Sequence, residues 1–293
     1  LVQPELLIID SIQTVFSDEL DSLPGSISQI RECGQQLLQL SKQKGIAVII
    51  IGHVTKEGVI AGPKMLEHMV DTVLYLEGDD RHDHRILRSA KNRFGATNEV
   101  GIFHMNENGL VEVENPSELF LAERRNDITG STIFPSLEGT RPILVEVQAL
   151  VSNANFGTPQ RNVNGFDFKR LAMLLAVLEK RIGTHMGTKD VFINLVGGLK
   201  IDDPAADLAV ISAVASSSRD KLIKESVVLI GEVGLGGEVR SVSRLKERIN
   251  EAKSLGFKSV IAPAANLKRM KDRIKGVDIT GVTNVGEVFH HLF

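Results

Sequence analysis

Leu6-Leu7-Ile8-Ile9-Asp10-Ser11 reads as a strand buried on both faces and ending in a carboxylate. An aspartate at the carboxyl end of such a strand can hold a hydrated magnesium ion against nucleotide phosphates. Taken alone, the pattern also fits any buried strand that happens to end in Asp. Its surroundings sharpen the reading. The Pro24-Gly25-Ser26 turn opens a helical pattern over residues 27–44, and a second buried strand over 47–51 ends at Gly52-His53. In sheets of this type both strand ends face one crevice, where His53 can sense a terminal phosphate; a structural histidine is the plainer alternative.

A glycine-containing loop then leads into a short helix over 64–68, and strands follow at 72–76, 85–89 and 99–104. This order predicts an α/β unit with a mainly parallel sheet and antiparallel additions at its far edge. After the second of these runs stands Lys91-Asn92-Arg93-Phe94-Gly95, two fixed cations around an amide, then an aromatic and a turn-capable glycine. Arg offers a bidentate fork and Lys a compact charge, so the cluster suits an anionic ligand.

Composition narrows the class. A net charge of −3 gives no whole-chain argument for nucleic acid, so such binding must come from a local patch. The single Cys33 excludes an internal disulfide framework and lies on the apolar side of the helical pattern Ile27, Ile30, Cys33, Leu37, Leu40, which places it in the core. No apolar run reaches the ~20 residues of a membrane helix, and no leader peptide is visible, so a cytoplasmic location is expected. The chain opens at Leu1 on a strand already under way, which suggests a missing N-terminal part.

Glu114-Asn115-Pro116 and the polar stretch 123–127 mark a domain boundary, giving domains over 1–114 and 115–293. The second domain predicts strands at 141–150, 191–196, 226–230 and 259–261, with helices at 168–180, 204–217 and 243–255. That mixture is α+β or α/β. No G-x-x-x-x-G-K-[ST] phosphate loop is present. The glycines between Gly183 and Asp190 precede a strand instead of following one, and those from Gly231 to Gly237 are spaced for a hairpin.

Leu6 to Ser11, Gly52-His53-Val54-Thr55-Lys56-Glu57-Gly58, Ala61-Gly62-Pro63-Lys64, Leu66-Glu67-His68 and the K-N-R-F-G pentapeptide together resemble the RadA (Sms) family of bacterial DNA-repair proteins. The likeness runs through essentially all 293 residues. It implies a partial RecA-like ATPase core followed by an α+β Lon-protease-like domain of the ribosomal S5 domain 2-like type. It also implies ATP and Mg2+ as cofactors, and a four-cysteine zinc finger and phosphate loop ahead of Leu1. By this resemblance Asp10 positions magnesium-bound water with Ser11 beside it, and His53 couples nucleotide state to DNA. Lys91 and Arg93 reach a neighbouring subunit's nucleotide as arginine fingers do, and Lys56 and Lys64 lie on a mobile DNA-contacting loop. For these two lysines, solvated loop charge is the competing reading.

The Lon-like protease uses a serine at a helix N-terminus and a lysine base. The matching stretch is Asp202-Asp203-Pro204-Ala205-Ala206-Asp207. Asp203 suits an N-cap and Pro204 the first turn, but Ala205 stands where the nucleophile belongs, and Asp207 adds negative charge opposing an oxyanion. Lys246 keeps the lysine position, and Ser216, Ser217 and Ser218 lie too far along the helix to replace the serine. Proteolysis is therefore not expected. The domain is expected to support a hexamer and give basic surface for DNA, with candidates Lys221, Lys224, Arg240, Arg244, Lys246, Arg248, Lys268, Arg269, Lys271 and Arg273.

The resemblance thus implies a DNA-damage and stress-response protein of DNA repair and recombination. It would be a DNA-dependent, helicase-like ATPase that promotes branch migration on single-stranded DNA and branched intermediates made by the RecA recombinase. The chain by itself is expected to be inactive for lack of the phosphate loop. A non-catalytic DNA-binding ring scaffold and a Lon-like ATP-dependent protease are the other two readings, the latter opposed by Ala205.

Overall fold

In the first part of the chain the elements are β1 (Leu6–Asp10), α1 (Ile27–Lys44), β2 (Ala47–Ile51), α2 (Ala61–Met69), β3 (Thr72–Gly78) and β4 (His84–Asn92). There follow β5 (Val100–Asn106), β6 (Gly109–Glu112), α3 (Pro116–Leu121), β7 (Ser131–Glu138), β8 (Arg141–Asn153), β9 (Arg161–Asn164), α4 (Phe168–Val177) and β10 (Lys189–Leu195). The last part holds α5 (Asp207–Arg219), β11 (Val227–Leu229), β12 (Glu232–Val233), β13 (Val239–Arg240), α6 (Leu245–Ser254), β14 (Ser259–Pro263), α7 (Ala264–Arg269), β15 (Asp278–Val282) and α8 (Val285–Leu292). This computed structural model describes residues 4–53, 61–78, 84–97, 99–125, 127–154, 157–224, 226–270 and 274–293, without the side chains of 61–63.

Packing divides the chain into Leu1–Leu76 with Arg88–Asn98, and Glu77–Leu87 with Glu99–Phe293. The boundary expected near residue 114 falls inside the second unit, to which β5 and β6 belong. The α/β class expected from the sequence is the class observed.

Local chemistry explains the first unit. Ser26 caps α1 by accepting the Gln29 N–H, and Gly45 ends it at φ 66°, a conformation open to glycine. β1 and β2 pair in parallel with Leu6 opposite Ala47 and Asp10 opposite Ile51. Ile12, Ile30, Cys33 and Leu66 form the core, with Ile50 and Met69 against it, so Cys33 is a core residue as read. Burial also raises the Cys33 thiol pKa. Gly34 lets α1 and α2 approach closely, because a Cβ there would lie 2.5 Å from Leu66 Cδ2.

The expectation of strands buried on both faces fails here. Leu6, Ile8, Ile49 and Ile51 are 37–55% exposed, since among the described residues α1 and α2 cover only the alternate face. Gln29 is the other surprise. It is buried, and its amide nitrogen donates to Ser17 O, Leu20 O and Ser22 O at 3.1, 3.1 and 2.9 Å while its oxygen accepts the Ser17 N–H at 2.8 Å.

The second unit is built on a seven-stranded sheet in the order β15-β14-β11-β7-β8-β10-β9. β7-β8-β10 is antiparallel, while β11 runs parallel to β7 and β14, and β9 parallel to β10. Helix α5 is buried along most of its length, and β7 is buried on both faces. β7 is not among the strands expected from the sequence, and it carries Pro135, a residue disfavoured in a central strand. Its carbonyl is used instead as an acceptor for the Arg248 guanidinium.

Candidate functional site

Both apolar strands of the first unit end together, as the parallel register requires. Asp10 is exposed at the end of β1, and His53 is exposed just past the end of β2. Gln13, in the turn after Asp10, donates from Nε2 to His53 O at 3.0 Å and ties the two strand ends together. Ser11 is buried, and its carbonyl receives the Thr14 N–H and hydroxyl at 3.1 and 2.8 Å. The structure therefore brings Asp10, Ser11 and His53 to one edge. An exposed carboxylate at such an edge suits magnesium, which takes one or two protein carboxylates and completes its shell with water and phosphate oxygens.

The K-N-R-F-G turn is braced against the C-terminus of α2. Lys91 Nζ donates to Glu67 O and Val70 O at 2.7 Å each and to His68 O at 3.4 Å. A cation is favoured there because the last helical carbonyls have no partners within the helix. Arg93 donates its N–H to Asp71 O at 3.0 Å and places Nη1 3.2 Å from the Asp71 carboxylate. Asn92 closes the turn, accepting the Phe94 N–H at 3.2 Å and donating to Ala96 O at 3.3 Å. Lys91 thus serves as a helix cap here, a role that charge pattern alone did not indicate. Lys64 is exposed on α2, and Lys56 lies outside the described residues.

In the second unit, the helix start read from the sequence is present. Pro204–Ala206 forms a tight helical turn ahead of α5, and Asp203 caps it by accepting the Ala205 N–H at 3.0 Å. Ala205 is 2% exposed, and its carbonyl accepts the Gly231 N–H at 2.9 Å. Asp207 does not act as a free negative charge. Fully buried, it is clasped by the Arg170 guanidinium and accepts the Val233 N–H at 2.9 Å. Burial pushes its carboxyl pKa up, and Arg170 pulls the other way.

Several basic candidates change character. Arg248 cannot be a surface contact: it is fully buried, donates to Asp203, to Pro135 O and to Ser243 O, and lies 5.4 Å over the Phe134 ring. Desolvation lowers its pKa, which Asp203 opposes. Arg240 is exposed but bonded to Glu238 at 2.6 Å, with Glu232 at 3.8 Å, so its charge is largely offset. Arg244 is exposed and takes φ 51° as it enters α6. Lys246 is exposed in the first turn of α6, and Lys268 and Arg269 are exposed at the end of α7. Lys221 and Lys224 are exposed as well, while Lys271 and Arg273 lie outside the described residues. Ser216 and Ser217 are structural, accepting the Gly130 and Val151 N–H groups at 2.9 Å each.

No helix among the described residues is long and apolar enough to cross a membrane. Residues 179–293 match the Lon protease (S16) C-terminal proteolytic domain. The chain is 54% identical over 286 residues to the DNA repair protein RadA of Bacillus subtilis, covering 98% of this chain and 62% of that protein. It is 55% identical over 266 residues to the protein of the same name from Halalkalibacterium halodurans, covering 91% and 58%. With that of Streptococcus pneumoniae it shares 52% identity over 292 residues, 100% of this chain and 69% of the relative. The chain thus spans roughly three-fifths to two-thirds of the length of these relatives. At this identity along its whole length, the chain belongs to the DNA repair protein RadA family.

Proposed function

We propose that the whole protein is a DNA-dependent ATPase of RecA type that moves on single-stranded DNA and promotes branch migration of recombination intermediates. The observation that supports this most is the parallel pair β1–β2, which presents Asp10 and His53 at one edge and ties them through Gln13. In this reading Asp10, with Ser11 beside it, would hold hydrated magnesium at the ATP phosphates, and His53 would relay the state of the terminal phosphate. Magnesium would supply charge neutralisation at the transferring phosphoryl group. Lys91 and Arg93 form the junction with a neighbouring subunit of a homo-oligomer, a hexamer, and the intermediates come from the RecA recombinase. Residues 1–114 carry the ATPase half and 115–293 the Lon-like half.

The Lon-like half, in this proposal, is a non-proteolytic scaffold adding DNA surface through Arg244, Lys246, Lys268 and Arg269, with Arg240 largely offset by Glu238 and Glu232. Ala205 supports it, since a methyl group has no heteroatom to attack a peptide. The deciding experiment is ATP hydrolysis by the whole protein and its Asp10→Asn variant, with and without single-stranded DNA. The variant is expected to lose DNA-stimulated hydrolysis by at least ~100-fold while keeping its circular dichroism, on the scale of lost transition-state charge stabilisation. Wild-type hydrolysis by Asp10→Asn would overturn the proposal.

A further inference from the structure

Phe94 stands 86% exposed at the tip of the K-N-R-F-G turn. Full exposure of a large aromatic is unfavourable, because burying such a side chain is worth about 1.5–3 kcal/mol. Nor is the ring on a loose tail. Its own N–H is bonded to Asn92 Oδ1, the flanking Arg93 N–H to Asp71 O, and the Lys91 ammonium to α2. The Lys91 cation is therefore occupied in holding the turn, and the side chains that the turn presents are Phe94 and, beside it, Arg93.

The adjacent Arg93 guanidinium is half-exposed and meets Asp71 through Nη1 alone, at 3.2 Å. A pair that exposed contributes little, so the guanidinium can turn to another anion at small cost. A ring with open faces beside an exchangeable cation matches a nucleotide, whose base stacks and whose phosphate pairs.

We infer that Phe94 is a stacking platform for an unpaired base of single-stranded DNA, with Arg93 on the neighbouring phosphate. This goes beyond the interface role proposed for Lys91 and Arg93, and it rests on the reading of single-stranded DNA as a ligand. The contact is to the base face, which every base has, so it discriminates single strands from duplex without selecting sequence.

These 293 residues contain no tryptophan, so in a Phe94→Trp variant of the whole protein the emission in excess of the wild-type blank reports on the new indole. Two end-labelled probes of equal length and charge are titrated: oligothymidylate, and a deoxyribose-phosphate oligomer lacking bases. Label anisotropy reports binding, and indole emission reports stacking. Oligothymidylate is expected to quench the indole and the abasic oligomer to leave it unchanged. Phe94→Ala is expected to weaken oligothymidylate about 5- to 100-fold, the range for loss of one stacked base, without altering abasic binding. Its circular dichroism should match wild type, as the ring packs on little.

Oligothymidylate binding with an unquenched indole and wild-type affinity in Phe94→Ala would overturn the inference and leave the single-strand reading intact. Failure of both oligomers to bind the wild-type protein would overturn both. An indole emission shift that follows protein concentration without DNA would overturn the inference in favour of docking against a second copy of the chain.

Discussion

Arg248 donates to the carboxylate of Asp203, while Asp203 accepts the N–H of Ala205, so one acid joins the core of α6 to the turn that opens α5. Arg248 also satisfies Pro135 O and Ser243 O from a fully buried position. Removing it leaves those acceptors and a partly buried carboxylate without their donor. Arg248→Ala should therefore destabilise the second unit by about 3–5 kcal/mol, the scale for breaking a buried pair. Arg248→Lys should recover only part, because an ammonium cannot span a fork of acceptors. Denaturant unfolding checks this; a loss below about 1 kcal/mol, the surface-pair range, would contradict it.

The same geometry bears on the absent nucleophile. The Ala205 N–H, one of the groups that would have to stabilise an oxyanion at this turn, is already committed to Asp203 Oδ1 at 3.0 Å. Restoring the hydroxyl is therefore not sufficient. Ala205→Ser should leave casein degradation at background in a gel assay with ATP. Measurable proteolysis by that variant would show that the Lon-like unit lacks nothing but its serine.

Gln29 fastens the segment 17–22 to α1 through four hydrogen bonds. Gln29→Leu keeps the volume roughly and deletes all of them. At about 1 kcal/mol net per bond, offset by rehydration of freed loop carbonyls, the expected cost is about 2–4 kcal/mol. Amide exchange at residues 17–22 should accelerate with it. An unchanged exchange pattern would mean that the loop is held by other contacts.

Glu287 gives the clearest acid-dependent contribution. Its carboxylate accepts the Thr283 N–H and hydroxyl at 2.7 Å each and Asn284 Nδ2 at 2.8 Å, while Asn284 caps α8 by accepting the Glu287 N–H at 3.0 Å. The Thr283 backbone donor, first among these, holds its pKa below the usual glutamate value. A depressed folded pKa means the stabilisation is fully present above the ordinary value and is lost as pH falls through the folded one. Glu287→Gln should lose this component, so the gap between wild type and variant should narrow on acidification. A gap that widens as pH falls would reverse the assignment.

Much of the framework was legible in the sequence. The alternation of strands and helices, the Ser26 and Gly45 ends of α1, the core position of Cys33 and the Asp203-Pro204 helix start are all local signals. What escaped reading depended on residues distant in sequence. Arg248 sits in a run of charged residues and reads as surface, yet it is buried by partners 113 and 45 positions away. Gln29 and β7 depend on distant partners in the same way, since a buried amide and a proline in a central strand make sense only with their partners in place. At the candidate site, the meeting of Asp10 and His53 followed from parallel pairing, but the engagement of Lys91 by α2 carbonyls did not. The α8 cap, Asn284 with Glu287 three residues on, is a box-like local start signal on a helix of only eight residues.

The uncovered side chains of β1 and β2 have a practical consequence for anyone purifying this chain. Leu6, Ile8, Ile49 and Ile51 form an aliphatic surface on a pair of strands whose outer edges have no strand partner among the described residues. Exposed apolar strands with open edges template pairing with other chains. Produced alone, the polypeptide should become turbid with rising concentration and warming, and mild detergent should clear it. Activity assays on such material would report the state of its aggregates.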